Sequence, residues 1–165
     1  MHVTQIELLQ QMPIFGGLPA EALEVLLEGA PSVSVGAQAY FFREGDPAVS
    51  MFVLERGSVA VLRSWEGREL LLRRLGKGDC FGEMALLDLF PRSAAVRAEE
   101  DCRAIELTPA HLYRLFERDP VQFAMIQMNI AREMSRRLRE TDDLLFRACM
   151  EGEAPHYSAD NLHTV

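Results

Sequence analysis

The sequence is poor in the residues that build metal and redox centres. Its three cysteines, Cys80, Cys102 and Cys149, form no CxxC pair, so a disulfide framework, a zinc site or an iron–sulfur cluster is not expected. We interpret them as reduced, buried thiols of a cytoplasmic protein. The four histidines, at positions 2, 111, 156 and 163, show no HxH or HxxxH spacing. This scarcity argues against a metal and against metal-dependent catalysis, and we predict that the protein is not an enzyme.

Long apolar runs and an excess of basic charge are also missing. No apolar run approaches the ~20 residues that a membrane helix needs, and the segment MHVTQIELLQQM lacks the basic and apolar regions of a signal peptide. The formal net charge of -8 argues against a surface that binds nucleic acid over its whole extent, although it is compatible with a local basic patch. Arginines of the C-terminal region alternate with acidic residues, which is typical of a solvated helix with ion pairs. We therefore expect neither membrane nor nucleic-acid binding.

The overall composition is that of a globular protein, and the sequence divides into three zones. With 165 residues, 48% of them hydrophobic, the chain can form one domain with a core. Residues 1–30 and 108–150 have helical periodicity, whereas residues 31–107 have strand periodicity. We predict a single domain over residues 1–150, followed by a polar, disordered tail over residues 151–165.

The central zone predicts a β barrel. Short apolar segments recur at intervals of roughly 8–12 residues, separated by glycine-containing turns, which is typical of sandwiches and barrels such as jelly rolls. The predicted strands are SVSV, QAYFFR, SMFVLE, SVAVLR, ELLLRRL, SAAVRA and RAIEL. The expected fold class is therefore α+β. It consists of a jelly-roll barrel, or double-stranded β-helix, flanked by N-terminal helices and a long C-terminal helix.

The C-terminal zone predicts two helices that each begin at a proline. Thr108-Pro109 and Asp119-Pro120 both have the pattern of an N-cap followed by proline at the first helical position. The second helix is longer than the packing of a small domain requires, and one of its faces is apolar apart from a single hydroxyl. This stripe contains Phe123, Ile126, Ile130, Met134, Leu138, Thr141 and Leu145. We expect it to pair with a second copy in a homodimer.

The segment FGEMALLDLFPRSAAV, residues 81–96, places unlike charges at the two ends of a short apolar run. Gly82 allows close approach of the backbone to a ligand, and amides at the start of the following turn favour an anion. Arg92 matches phosphate geometry, and Ser93 adds a hydroxyl donor. The carboxylate of Glu83 would repel phosphate but can accept a hydrogen bond from a sugar hydroxyl. These residue types indicate a nucleotide site, with a local Glu83–Arg92 salt bridge as the alternative.

This segment resembles the phosphate-binding cassette of cyclic-nucleotide-binding domains, which occur in catabolite activators, cyclic-nucleotide-dependent kinases and cyclic-nucleotide-gated channels. The shared pattern is F-G-E, an A-L step, a spacer and P-R-x-A, and the chain matches it without a gap. The segments FGGL at 15–18, EGD at 44–46 and RGSVAV at 56–61 resemble further parts of the domain. The resemblance therefore covers nearly the whole chain.

The resemblance implies a role for each candidate site residue. Glu83 would accept a hydrogen bond from the ribose 2′-hydroxyl, and Thr141 would contact the adenine 6-amino group. Val61 and Leu72 would contact the purine and the ribose. The cyclic phosphate would be held by the side chains of Arg92 and Ser93 and by the backbone amides of Gly82, Glu83, Met84 and Ala85.

Three residues bear on the choice of nucleotide. Serine rather than threonine at position 93 favours cAMP over cGMP by analogy with the family. Asp142 stands where the activators have a serine, and a carboxylate can also accept from an amino group. Arg73 stands where they have a small polar residue. Its side chain could stack on the base, reach the carbonyl oxygen of guanine or extend into solvent, and we favour solvent.

The expected output is a contact with another protein. Catabolite activators continue into a DNA-binding helix-turn-helix, whereas only about fifteen polar residues follow Met150 in this sequence. We therefore predict a stand-alone sensor that binds cAMP or cGMP without a further cofactor and acts on an unknown effector protein. The alternative is a degenerate scaffold or dimerisation module that binds no nucleotide. A phosphodiesterase and a haem sensor are disfavoured, because metal-ligand histidines and an N-terminal cysteine cluster are missing.

Overall fold

The structure, a computed structural model, describes residues 3–88 and 90–150. These residues form four α-helices: α1 (Val3–Gln10), α2 (Ala20–Leu27), α3 (Pro109–Arg118) and α4 (Pro120–Met150). They also form eight β-strands: β1 (Ser32–Val35), β2 (Tyr40–Phe42), β3 (Met51–Arg56), β4 (Val59–Trp65), β5 (Arg68–Leu75), β6 (Cys80–Phe81), β7 (Ala95–Ala98) and β8 (Cys102–Leu107). Short 3-10 helices lie at Pro13–Phe15 and Glu83–Leu86. The tail that the sequence predicts to be disordered lies outside the described residues.

The strands form two four-stranded antiparallel sheets. Their orders are β1-β8-β3-β6 and β2-β7-β4-β5. Apart from the β4–β5 hairpin, strands that follow each other along the chain belong to different sheets, which is the connectivity of a jelly roll. The predicted α+β class is confirmed, with the jelly roll between N-terminal helices and a long C-terminal helix. The sequence missed β6, because a two-residue strand is too short to show a periodicity of two.

Phenylalanines fill the centre of the barrel. The rings of Phe52 and Phe81, which are cross-strand partners in β3 and β6, stack with centroids 5.4 Å apart. Phe41 packs edge-on against both rings, at 5.3 and 5.0 Å. We call the buried cluster around them the barrel core; it contains Phe52, Leu54, Val59, Phe81, Val96, Ala98, Cys102 and Ala104. Burial of each large side chain contributes about 1.5–3 kcal/mol, so this cluster fixes how the two sheets face each other.

Helices α3 and α4 begin where the sequence predicts. The amide of Thr108 donates to Nδ1 of His111 at 3.0 Å, which completes the start of α3. The carboxylate of Asp119 accepts from the amides of Val121 and Gln122, both at 3.1 Å, at the start of α4. These bonds satisfy amides that have no partner within the helix itself.

The described chain divides into two compact units, one ending at Ile130 and one beginning at Ala131. In the first unit the apolar stripe of α4 is buried, since Ile126 and Ile130 are 1% and 0% exposed. In the second unit the stripe is open, since Leu138 and Leu145 are 62% and 44% exposed. A single copy of the chain therefore buries only the first part of its stripe.

The second unit has the predicted ion pairs of a solvated helix. Arg136 bonds to Glu133 and Glu140, and Nε of Arg137 donates to Glu133 at 3.0 Å. The hydrogen bond from Arg136 is the main cause that lowers the pKa of Glu133 below its ordinary value. Pairs at this spacing stabilise an isolated helix by about 0.2–0.5 kcal/mol each.

The predicted burial of the cysteines is confirmed at two of the three positions. Within the described residues none of the three forms a disulfide, and Cys80 and Cys102 are buried. The expected burial of Cys149 is wrong, because this residue lies on the solvated part of α4 and is exposed. Across 3–88 and 90–150 there is no cluster of three potential metal ligands, and none of the helices is apolar enough over sufficient length to cross a membrane.

Candidate functional site

Gly82 allows Arg92 to approach the backbone of the turn that follows β6. Its φ of 76° is left-handed, and a Cβ on this residue would lie 2.6 Å from Nη1 of Arg92. The same Nη1 donates to the carbonyl oxygen of Gly82 at 3.3 Å, and the amide of Ala85 donates to that oxygen at 3.1 Å. Glycine is therefore required both by the backbone conformation and by the close packing of the guanidinium.

The guanidinium of Arg92 is buried but incompletely satisfied. The residue is 6% exposed, and its guanidinium carbon lies 3.9 Å from the ring centroid of Phe42. Within the described part of the chain, Nε of Arg92 has no hydrogen-bond partner. Burial lowers the pKa of this guanidinium. The negative charges of Asp46, Glu106 and Glu83 act in the other direction, and their effect is smaller. A buried cation with an unused donor is energetically costly unless an anion pairs with it, so this position suits an anionic ligand.

The turn between β2 and β3 holds the backbone of Arg92 in place. The amide of Arg92 donates to the carbonyl oxygen of Asp46 at 2.8 Å. In return, the amide of Gly45 donates to the carbonyl oxygen of Arg92 at 2.9 Å. The turn itself is closed by the carboxylate of Asp46, which accepts from the amide of Arg43 at 2.7 Å. The two bonds between Arg92 and this turn fix the backbone from which the guanidinium projects.

Glu83 lies at the start of the 3-10 helix and is 4% exposed. Its charge affects the pKa of Arg92 less than the charges of Asp46 and Glu106 do. The structure thus gives a buried carboxylate and a buried guanidinium in one cassette.

The other cassette residues differ in exposure. Ala85 is buried, Met84 is 45% exposed, and Ser93 is exposed directly after Arg92. Ser93 is therefore accessible beside the buried Arg92.

Val61 and Leu72 lie in the β4–β5 hairpin. Val61 packs against the barrel core and has two cross-strand partners, Val96 in β7 and Arg73 in β5. The pairing shifts between Val61 and Leu62, so Leu72 falls in a β-bulge, and it is 53% exposed. Bulges redirect side chains and occur often beside binding sites.

Thr141 and Asp142 belong to the second unit, and both are exposed. The hydroxyl of Thr141 donates to the carbonyl oxygen of Arg137 at 2.9 Å, one turn earlier in α4. Such a bond is the usual local partner of a threonine within a helix.

Sequence reasoning missed two residues of the site. Phe42 lies beneath the Arg92 guanidinium, and the carbonyl oxygen of Asp46 anchors the Arg92 backbone. The turn at Asp46 was visible in the sequence, but its partner was not, because backbone pairing between distant segments leaves no periodic signal. The adjacent pair Phe41-Phe42 breaks strand alternation and was the one available sign of an irregular strand here.

Comparison with known proteins agrees with this geometry. The family model described as cyclic nucleotide-binding domain matches residues 32–119. The protein described as cyclic AMP receptor protein of Thermus thermophilus is 33% identical over 131 residues, which cover 79% of this chain and 59% of that protein. The chain therefore spans about three-fifths of the length of this relative. Since the family model covers more than half of the sequence, the chain belongs to the cyclic nucleotide-binding domain family.

Solved structures show the same fold. The catabolite activator protein of Thermus thermophilus superimposes with a TM-score of 0.74 at 32% identity, over 84% of this chain and 64% of that one. The regulatory domain of Toxoplasma gondii PKA, solved with cAMP, gives a TM-score of 0.64 at 26% identity, over 68% of this chain and 43% of that one.

Proposed function

We propose that the protein is a sensor that binds a cyclic nucleotide, cAMP more tightly than cGMP, and passes the signal on through protein contacts. The observation that supports this most is the Arg92 guanidinium, buried at 6% exposure over Phe42 with Nε lacking a partner among the described residues. A cyclic phosphate supplies the missing anion. The exposed Ser93 and the amides of Gly82, Glu83, Met84 and Ala85 complete the phosphate contacts in this proposal.

The remaining contacts are assigned to the nucleoside. Glu83 accepts from the ribose 2′-hydroxyl, because a carboxylate suits a hydroxyl donor and opposes a phosphate. Val61 and Leu72 offer apolar contacts to the purine and the ribose. The preference for cAMP rests on Ser93, which the resemblance to the family associates with that nucleotide.

The output is assigned to α4. Leu138 and Leu145 leave apolar surface open in a single copy, and a homodimer through this part of α4 would cover it. In the proposed dimer Thr141 contacts the adenine 6-amino group, so that ligand binding favours one arrangement of α4 among those already populated. The effector is a protein that recognises this arrangement. The stand-alone role and the cytoplasmic location remain predictions.

Thermal unfolding of the full chain tests the proposal. A ligand at a hundredfold excess over its dissociation constant stabilises the folded state by about 2.7 kcal/mol. For a protein of this size we therefore expect the unfolding midpoint to rise by roughly 5–10 °C with cAMP, and by less with cGMP at the same concentration. Non-cyclic 5′-AMP is the control and should give a much smaller shift.

Two results would count against the proposal. If neither cyclic nucleotide shifts the midpoint at high micromolar concentration, the chain is the scaffold module that the sequence left as the alternative. If 5′-AMP stabilises as strongly as cAMP, the site does not select the cyclic phosphate.

A further inference from the structure

Two adjacent phenylalanines of β2 both face the inside of the barrel. In a regular strand, successive side chains point to opposite faces of the sheet. The pairing of β2 with β7 is irregular between Tyr40 and Phe42, and Phe41 and Phe42 both pack against the barrel core. Their ring centroids lie 5.3 and 6.1 Å, respectively, from that of Phe52. The irregularity therefore places two rings inside the barrel, where a regular strand would turn one of them outward.

Phe42 is the ring of this pair that contacts a charged group. The guanidinium carbon of Arg92 lies 3.9 Å from the ring centroid of Phe42. An edge-on approach at this distance would bring a nitrogen inside van der Waals contact, so the flat face of the guanidinium lies against the ring. Gly82 lies beside this contact, because a Cβ there would be 2.6 Å from Nη1 of Arg92 and 3.4 Å from Cε1 of Phe42. Among the described residues, no guanidinium lies over Phe41.

The group against this guanidinium differs from the partners of other arginines in the barrel. Carboxylate oxygens lie within 3.7 Å of Arg63, Arg74, Arg97 and Arg103. These four side chains are partly or largely exposed, whereas Arg92 is buried. The buried arginine therefore has an uncharged ring against its guanidinium, where the more exposed arginines have an acidic group.

An uncharged ring stabilises a cation and leaves free the positions that an anion needs. The face of an aromatic ring is electrically negative and attracts a guanidinium, most strongly where water is excluded. The N–H donors lie in the plane of the guanidinium, so a ring against its face leaves them available. Nε of Arg92 has no hydrogen-bond partner in the described part of the chain. A carboxylate in the place of Phe42 would instead accept from these donors and repel a phosphate.

We propose that Phe42 is a positioning residue, which holds the guanidinium of Arg92 in the orientation that binds the cyclic phosphate. This inference rests on the proposed binding of a cyclic nucleotide at Arg92. The bonds to the Gly45-Asp46 turn fix only the main chain of Arg92. Nη1 donates to the carbonyl oxygen of Gly82 at 3.3 Å, which is longer than the usual distance of about 2.9–3.0 Å. The ring contact is therefore the main restraint on the guanidinium plane, and Phe42 acts on the ligand only through Arg92.

Calorimetric titration of the full chain with cAMP is the first test. Phe42→Leu keeps an apolar side chain in the barrel but removes the aromatic face, so the dissociation constant for cAMP should rise roughly five- to tenfold. Phe41→Leu is the matched control, because Phe41 packs against the core rings of Phe52 and Phe81 without contacting Arg92. This control should lower the thermal unfolding midpoint as Phe42→Leu does, but should change the dissociation constant by less than about twofold.

A second series of variants separates the aromatic face from the shape of the side chain. Fluorine atoms withdraw electron density from the face of a ring and change its shape little, so mono-, di- and trifluorophenylalanine at position 42 should weaken cAMP binding stepwise. The same residues at position 41 should give no trend. A role in barrel packing alone predicts equal affinities across the series at both positions. Because these variants keep the shape of Phe42, the series decides the question even if Phe42→Leu does not fold.

Three results would overturn the inference and leave the proposed function in place. The first is a wild-type affinity for cAMP in Phe42→Leu. The second is equal weakening in Phe41→Leu, since the two rings would then serve only the packing of the barrel. The third is a constant affinity across the fluorinated series at position 42, which would assign the effect to shape. If the wild-type chain binds no cAMP, the proposed function itself fails, and the inference fails with it.

Discussion

In one copy of the chain the charged groups of the barrel are buried and held in place, whereas the second part of α4 leaves its apolar side chains exposed. In the barrel, Arg92 is 6% exposed and Glu83 is 4% exposed, and their positions are fixed by a left-handed glycine and by bonds to the Gly45-Asp46 turn. In the second unit Leu138 is 62% exposed, and the polar residues bond mainly to their own helix.

This difference indicates where ligand and partner act. Charged groups that are already buried and held in place lose little conformational entropy on binding, so we assign recognition of the nucleotide to the barrel. An open apolar stripe is stabilised only when another surface covers it, so we assign assembly to α4. Variants in the two regions should therefore affect two separate measurements, nucleotide affinity and oligomeric state.

The largest effect is expected for Arg92→Ala. Loss of a buried contact to a charged ligand group costs about 2–5 kcal/mol, so the dissociation constant for cAMP should rise by a factor of at least ~30 in a calorimetric titration. The oligomeric state without ligand should not change. Arg103→Ala is the control, because Arg103 pairs with Glu55 at 3.3 Å on an exposed strand face. This variant should bind cAMP with the affinity of the wild type. A loss of affinity below threefold would show that Arg92 does not hold the phosphate.

Leu138→Asp should have the next largest effect. We expect this effect on the oligomeric state and not on nucleotide affinity. A carboxylate buried in an apolar dimer seam costs about 2 kcal/mol or more, so sedimentation should show a dimer that dissociates at least ~30-fold more readily than the wild type. Val121→Asp is the control, because Val121 is 69% exposed but lies off the stripe. If Leu138→Asp sediments like the wild type, α4 does not form the dimer seam.

Glu83→Ala should weaken cAMP binding less than Arg92→Ala does. A hydrogen bond to a charged group contributes about 1.5–3 kcal/mol, and in our account this one is made only to the ribose. The wild type should therefore prefer cAMP over 2′-deoxy-cAMP by roughly tenfold or more, and the variant should bind both about equally. A preference for the ribose form that survives in Glu83→Ala would assign the sugar contact to another residue.

The smallest effect is expected for Thr141→Ala, which tests whether the two regions communicate. Loss of one neutral hydrogen bond costs about 0.5–1.5 kcal/mol, so the affinity for cAMP should fall by a factor of roughly 2–10. Ser135→Ala is a close control, because its hydroxyl also bonds one turn back, to Ala131 at 2.9 Å. An unchanged affinity in Thr141→Ala would remove α4 from the ligand site and leave it with assembly alone.

Local patterns were sufficient to predict most of the fold. Proline-led starts predicted α3 and α4, and turn spacing predicted seven of the strands, because both signals arise between residues close in sequence. The cassette was found for the same reason, since Gly82, Glu83 and Arg92 lie within one short segment. The two-residue strand β6 escaped because it has no period to detect.

The sequence could not provide the relations between distant segments. Phe42 lies beneath the Arg92 guanidinium, yet the two residues are far apart along the chain. The unbroken apolar run at Leu70, Leu71 and Leu72 lacks strand alternation and is a sign of the bulge in the β4–β5 hairpin. It indicates an irregularity but not the direction in which the bulged residue then projects.

The central claim is that the barrel binds a cyclic nucleotide through Arg92, and isothermal titration of the full chain with cAMP tests it most directly. The account predicts saturable binding of one cAMP per chain, with a dissociation constant in the micromolar range or below. The account is contradicted if cAMP at high micromolar concentration gives no binding heat and does not compete with cGMP.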